Sequence, residues 1–142
     1  APACRRVSVR AQRRAAAVLS QPARAWLSKS TWLPDASAPV GNCGSPIRID
    51  EGWLLFTHGV GAMRKYSIGA ALLDKNDPSK VLGRTRQPIL AAKDQDREGY
   101  VPNVVYSCGA IRHGDSLFLP YGIADSSIGF AFVKISELLA AM

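Results

Sequence analysis

Leu54-Leu55-Phe56-Thr57-His58-Gly59-Val60 and Leu117-Phe118-Leu119-Pro120-Tyr121-Gly122-Ile123 match each other 63 residues apart. Each is an apolar run ending in a polar side chain, a glycine and a β-branched residue. A second matched pair follows: Ser67-Ile68-Gly69-Ala70-Ala71-Leu72 and Ser127-Ile128-Gly129-Phe130-Ala131-Phe132, 60 residues apart. Short apolar runs of this kind, punctuated by Gly, Asp and Asn, read as strands. Two matched strand pairs at nearly one period predict a repeated four-stranded sheet, as in the blades of a β-propeller.

The period is longer than the roughly 40–45 residues of WD-type blades. A propeller closes with typically about four to eight blades, and 142 residues at this period hold about two. Two blades cannot close a ring, and their edges and inner faces would stay open. The expectation is therefore an all-β chain that is the C-terminal piece of a larger propeller. The aligned His58 and Tyr121, each just before a glycine, are candidates to face its central channel.

The other elements follow from local signals. Trp53 to His58, Tyr66 to Leu73, Val81 to Arg84, Asn103 to Cys108, Leu117 to Tyr121 and Ile128 to Lys134 are predicted strands. Asp74-Lys75-Asn76-Asp77-Pro78 is a turn. Ser136 to Met142 is the one helical stretch, with Ser136 as its expected N-cap.

The chain is 47% hydrophobic, ample for a core, and no apolar run reaches the roughly 18 residues of a membrane span. Its net charge of +7 is local. Residues 1–40 hold seven basic residues and one acid, Asp35, whereas residues 41–142 hold eleven basic and ten acidic residues. The expected folded part is almost neutral, which argues against a nucleic-acid partner. Three cysteines, Cys4, Cys43 and Cys108, form no CxxC pair, and His58 and His113 lack metal-ligand spacing, so neither a disulfide scaffold nor a metal site is expected. Residues 1–38 are read as an atypical Arg/Ala-rich segment, poorly packed or helical, and residues 39–142 as the propeller blades. The alternative for the first segment is an organelle-targeting sequence.

From Gly41 onward the chain resembles a known family. Gly41-Asn42-Cys43-Gly44-Ser45-Pro46-Ile47 comes first, then Gly52-Trp53-Leu54-Leu55 leading to His58-Gly59-Val60. Tyr66-Ser67-Ile68-Gly69-Ala70-Ala71-Leu72-Leu73-Asp74 and Asp77-Pro78-Ser79-Lys80-Val81 follow. Arg97-Glu98-Gly99-Tyr100-Val101-Pro102-Asn103-Val104-Val105-Tyr106 and Pro120-Tyr121-Gly122-Ile123-Ala124-Asp125 complete the series. In this order they resemble the C-terminal part of glycoside hydrolase family 130, the β-mannoside phosphorylases and related β-mannosidases. The resemblance implies a five-bladed β-propeller, of which this chain would hold about the last two blades with a short C-terminal helix. It also implies inverting cleavage of a β-linked glycoside by phosphate or water. The family's proton-donating Asp is expected in upstream blades, so the isolated chain is expected to be inactive.

Carried over residue by residue, the resemblance places His58 and Tyr66 at phosphate-binding positions, with Arg64 between them adding charge. Imidazole is a good donor that becomes cationic near a phosphate. Asp125 falls on an acid that binds hydroxyls of the non-reducing-end sugar, which suits a carboxylate accepting from a diol. Asn103, Tyr106 and Tyr121 are expected to line the same channel. Glu98 is a candidate base for a hydrolase, which would hold it about 6.5–9.5 Å from the acid; the plainer reading is an ion pair with Arg97. No cofactor is implied. The expected partners are an oligosaccharide and inorganic phosphate, with no membrane, and a homo-oligomer is open for the intact protein. Unpaired cysteines favour a reducing, cytoplasmic setting. The alternative function is a non-catalytic sugar-binding or interaction module that kept the propeller fold.

Overall fold

The computed structural model describes residues 40–61, 65–92 and 99–142. The reading of residues 1–38, and Arg64 and Glu98 among the candidate site residues, lie outside the described residues. Two antiparallel sheets and one short helix make up the rest, an all-β architecture as expected.

The first sheet runs β1 (Val40–Asn42), β3 (Trp53–Val60), β4 (Tyr66–Leu73), β5 (Val81–Arg84), with β2 (Ile47–Arg48) also on β3 and β6 (Leu90–Ala91) also on β4. The second runs β10 (Ser127–Lys134), β9 (Ser116–Ile123), β7 (Val105–Tyr106), with β8 (Ile111–His113) also on β9. The two hairpins predicted from the repeat, β3–β4 and β9–β10, are the long members of the two sheets. Between β4 and β5, the Asp74 carboxylate accepts the amides of Asn76 and Asp77, both at 2.8 Å. These two bonds hold its pKa below the usual carboxylate value.

The shared core lies between the sheets. Leu54, Phe56, Ile68 and Ala70 of the first pack with Val105, Leu117 and Leu119 of the second, all 3% exposed or less. Each of the Leu, Phe, Ile and Val side chains among these contributes on the order of 1.5–3 kcal/mol by leaving water. The facing corrects the strand alignment by one residue. Leu54, Phe56 and, by alternation, His58 face the second sheet, whereas Leu117 and Leu119 face back toward the first. Stacked blades point equivalent residues the same way round, so Leu54 corresponds to Phe118 and His58 to Gly122. The pairings agree: His58 opposes Gly41 and Ile68, while Gly122 opposes Tyr106 and Ile128. Ile47 opposes Leu54 as Ile111 opposes Phe118. Cys43-Gly44-Ser45-Pro46-Ile47-Arg48 and Cys108-Gly109-Ala110-Ile111-Arg112 thereby emerge as the repeat's clearest sequence mark.

These Cys-Gly pairs meet between the two sheets. Gly44 has φ 76°, and a Cβ there would collide with the Cys108 carbonyl. Gly109, at φ 130°, lies against the Cys43 carbonyl. Only glycine allows both the conformation and the approach. Nearby, the Tyr66 amide donates to the Asn103 carbonyl at 3.0 Å, a second tie between the sheets' regions.

The opposite face of the second sheet is apolar and open. Ile111, Ile128, Phe130 and Phe132 are each more than 60% exposed, and Phe118 packs against both Phe130 and Phe132. Helix α1 (Ile135–Ala140) closes the chain with Ile135 and Leu138 buried. Its N-cap is Lys134, without a side-chain cap bond, and Ser136 lies inside the first turn. The expected Ser136 cap fails because β10 runs straight into the helix, where the Ile135 amide donates to the Asp115 carbonyl at 2.9 Å.

Candidate functional site

His58 stands near the end of β3, opposite Gly41 on β1. The missing side chain at Gly41 makes room for the imidazole: a Cβ there would lie 2.5 Å from Cε1 and 2.8 Å from Nε2. Tyr66 begins β4, beyond the short β3–β4 connection, and its ring stacks toward His58 with centroids 6.2 Å apart and planes at 21°. Tyr106, whose backbone belongs to the second sheet, reaches the imidazole edge-on at 5.5 Å. Three rings from two sheets thus gather around one strand end. Tyr106 is 44% exposed, so the cluster opens to solvent on its side.

His58 is half-buried, and burial lowers its pKa below the ordinary 6.5. Removing the ring from water disfavours its charged form, so at neutral pH it is a neutral imidazole with one N–H to donate. Its Nδ1 lies 3.7 Å from the Sγ of buried Cys43.

Asn103 is half-buried, with φ 63°, and its carbonyl is the acceptor for Tyr66. Tyr121 lies on β9 opposite Gly129, and its ring occupies the space a Cβ at Gly129 would need. It packs against the core between the sheets, on the side that His58 also faces. Asp125 is exposed at the β9–β10 turn, where Ala124 and Asp125 take φ 49° and 51° and the Ser126 amide donates to the Ile123 carbonyl at 3.0 Å. Positive φ at both central residues is the pattern of a type I′ hairpin turn. That turn is tied to Asn103's loop: the Ala124 amide donates to the Val104 carbonyl at 2.9 Å, and the Val101 amide to the Ala124 carbonyl at 3.2 Å.

The structure therefore brings His58, Tyr66 and Tyr106 into direct contact and sets the Asn103 backbone beside them. Asp125 is joined to this group through the 101–104 loop rather than by side-chain contact. Two participants were missed in the sequence reading, Gly41 and Cys43, although both belong to its first motif. Their signal was positional, since only strand pairing shows that they flank His58. Among the described residues no three His, Cys, Asp or Glu side chains gather as a metal-ligand set, and no helix is long and apolar enough to cross a membrane.

A family model described as β-1,4-mannooligosaccharide phosphorylase, of glycoside hydrolase family 130, matches residues 20–142. The chain belongs to glycoside hydrolase family 130. A β-1,2-mannobiose phosphorylase of Listeria innocua is 47% identical over 104 residues, which are 72% of this chain and 29% of that protein. A β-1,2-mannobiose phosphorylase of Thermoanaerobacter is 46% identical over 105 residues, 73% of this chain and 34% of its own length. The Listeria enzyme's structure, solved with β-1,2-mannobiose, superposes with a TM-score of 0.67 over 72% of this chain and 29% of that one. The chain thus spans about a third of the length of these relatives. Its two sheets are blades of the family's five-bladed β-propeller.

Proposed function

We propose that this chain supplies the phosphate pocket and part of the sugar pocket of an inverting β-mannoside phosphorylase, and that its acid comes from outside these residues. The single observation that supports this most is the gathering of the His58, Tyr66 and Tyr106 rings at one strand end in a member of this family. His58 donates one N–H to a phosphate oxygen and the Tyr66 hydroxyl donates another, with Arg64 adding positive charge. Such donors replace the hydration that the anion gives up. Asp125 accepts from hydroxyls of the non-reducing-end sugar, Tyr106 and Tyr121 present ring faces, and Asn103 lines the same space.

In the reaction, a phosphate oxygen attacks the anomeric carbon from the side opposite the leaving group. The glycosidic bond from that carbon to its oxygen breaks, and the departing oxygen takes a proton from the acid. The products are α-mannose 1-phosphate and a shortened sugar. Water in place of phosphate would give hydrolysis, the role for which Glu98 is the candidate base. Residues that arrange an anion beside the sugar favour phosphate. The family model is described by a β-1,4 linkage, but the Listeria and Thermoanaerobacter relatives above are named for β-1,2-mannobiose, so the β-1,2 linkage is the substrate to try first.

The test is an amide NMR titration of the 142-residue chain with inorganic phosphate. Saturable shifts at Gly59, Tyr66 and Tyr106, abolished in His58→Gln, are expected. Shifts with β-1,2-mannobiose but none with phosphate would favour a non-catalytic sugar-binding module instead. Given both ligands, the isolated chain is expected to form no mannose 1-phosphate, and measurable turnover would overturn the placing of the acid.

A further inference from the structure

Cys43 is 1% exposed and belongs to the core cluster, yet its Sγ lies 3.7 Å from Nδ1 of His58. The backbone holds both partners. The Cys43 amide donates to the Phe56 carbonyl at 2.8 Å, and Gly41, two residues before Cys43, pairs with His58 across β1 and β3. The imidazole is further confined by the Gly41 α-carbon and by the rings of Tyr66 and Tyr106. Nδ1 therefore meets a thiol at a fixed place rather than mobile water. Burial pushes the Cys43 thiol up to about 12, so at neutral pH it keeps its proton. A thiol is a weak donor, and a neutral imidazole has one nitrogen that donates and one that accepts. Which nitrogen carries the proton is set by the partner of the other one.

We propose that Cys43 is a positioning residue: its S–H donates to Nδ1 of His58 and so holds the imidazole as the Nε2–H tautomer, with Nε2 as the donor offered to phosphate. Only the last clause rests on the phosphate reading above. A thiol suits this place because it is small and apolar enough for the core. Alanine there would leave Nδ1 facing an apolar wall, with only the modest intrinsic preference of the ring to bias the two tautomers.

The experiment reads the tautomer directly. The ¹⁵N-labelled 142-residue chain is examined at pH 7.5 by long-range ¹H–¹⁵N correlation of the His58 ring, in the wild type, Cys43→Ser and Cys43→Ala. The expected wild-type spectrum shows one tautomer, protonated at Nε2. Cys43→Ser keeps it, because a hydroxyl also donates. Cys43→Ala changes to a mixture of both tautomers, and phosphate binding weakens several-fold. A wild-type proton on Nδ1 overturns the proposal without recourse to any variant, so it stays testable even if Cys43→Ala fails to fold. A folded Cys43→Ala with an unaltered tautomer overturns it equally. Absence of phosphate shifts in a wild type protonated at Nε2 would defeat the phosphate reading while supporting the Cys43 contact. Phosphate shifts with the proton on Nδ1 would do the reverse.

Discussion

His58 concentrates the chemistry at the residue scale, because its neighbours decide its space and its charge. Gly41 contributes an absence. Gly41→Ala would put a methyl 2.5 Å from Cε1, so the ring must leave its place. Phosphate affinity in the NMR titration should fall by about tenfold or more, since a hydrogen bond to a charged group is worth about 1.5–3 kcal/mol. An unchanged affinity would mean that His58 does not hold the anion. Burial gives a second prediction. The folded His58 has a pKa below 6.5, so on acidification the unfolded chain takes up its proton first. The stability that depends on a neutral His58 is complete above pH 6.5 and is lost as the pH falls through the lower, folded pKa. The melting temperature should therefore drop between pH 7 and pH 5, with a shallower drop in His58→Gln. Equal slopes in the two proteins would show that the ring is not desolvated as described.

The informative elements are the inner strands and their glycines. Gly44→Ala should be costlier than Gly114→Ala, although both positions have positive φ. At Gly114, φ is 58° and nothing lies within 4 Å of a new Cβ, so strain of about 1–2 kcal/mol is the expected cost. At Gly44 the methyl must also push the Cys108 carbonyl, and with it the second sheet. Urea denaturation of the two variants measures the difference, and equal midpoints would mean that the sheets are not held together there. Leu119→Ala, on the core face of β9, should cost about 2–5 kcal/mol by the same measurement. The hairpins were legible because apolar runs, turn residues and period mark them. The pairing register was not, and a one-residue slip turns every side chain to the other face. Aligning His58 with Tyr121 made them look like copies of one position. They instead face each other across the core, and the true counterpart of His58 is Gly122.

For the whole molecule, the main feature is the bare apolar face of the second sheet, which no other described blade covers. A closed propeller leaves no such face open, and exposed patches of this kind drive association. The 142-residue chain should self-associate at rising concentration in sedimentation velocity. Phe130→Glu with Phe132→Lys should reduce this without lowering the melting temperature by more than a few degrees, since both side chains are already more than 60% exposed. A wild-type chain that stays monomeric at high concentration would show that the face is covered. The family itself was readable along the chain, because its motifs are local strings that keep their order from Gly41 to Asp125. The all-β class and the two hairpins were equally readable, since strand periodicity and turn chemistry act over a few neighbouring residues. Tertiary structure alone showed which face each strand buries, that Gly41 and Cys43 enclose His58, and that Tyr106 crosses from the other sheet to meet it. The reason is physical: those contacts join residues far apart in sequence, through a register and a sheet-to-sheet packing that no short stretch of chain encodes.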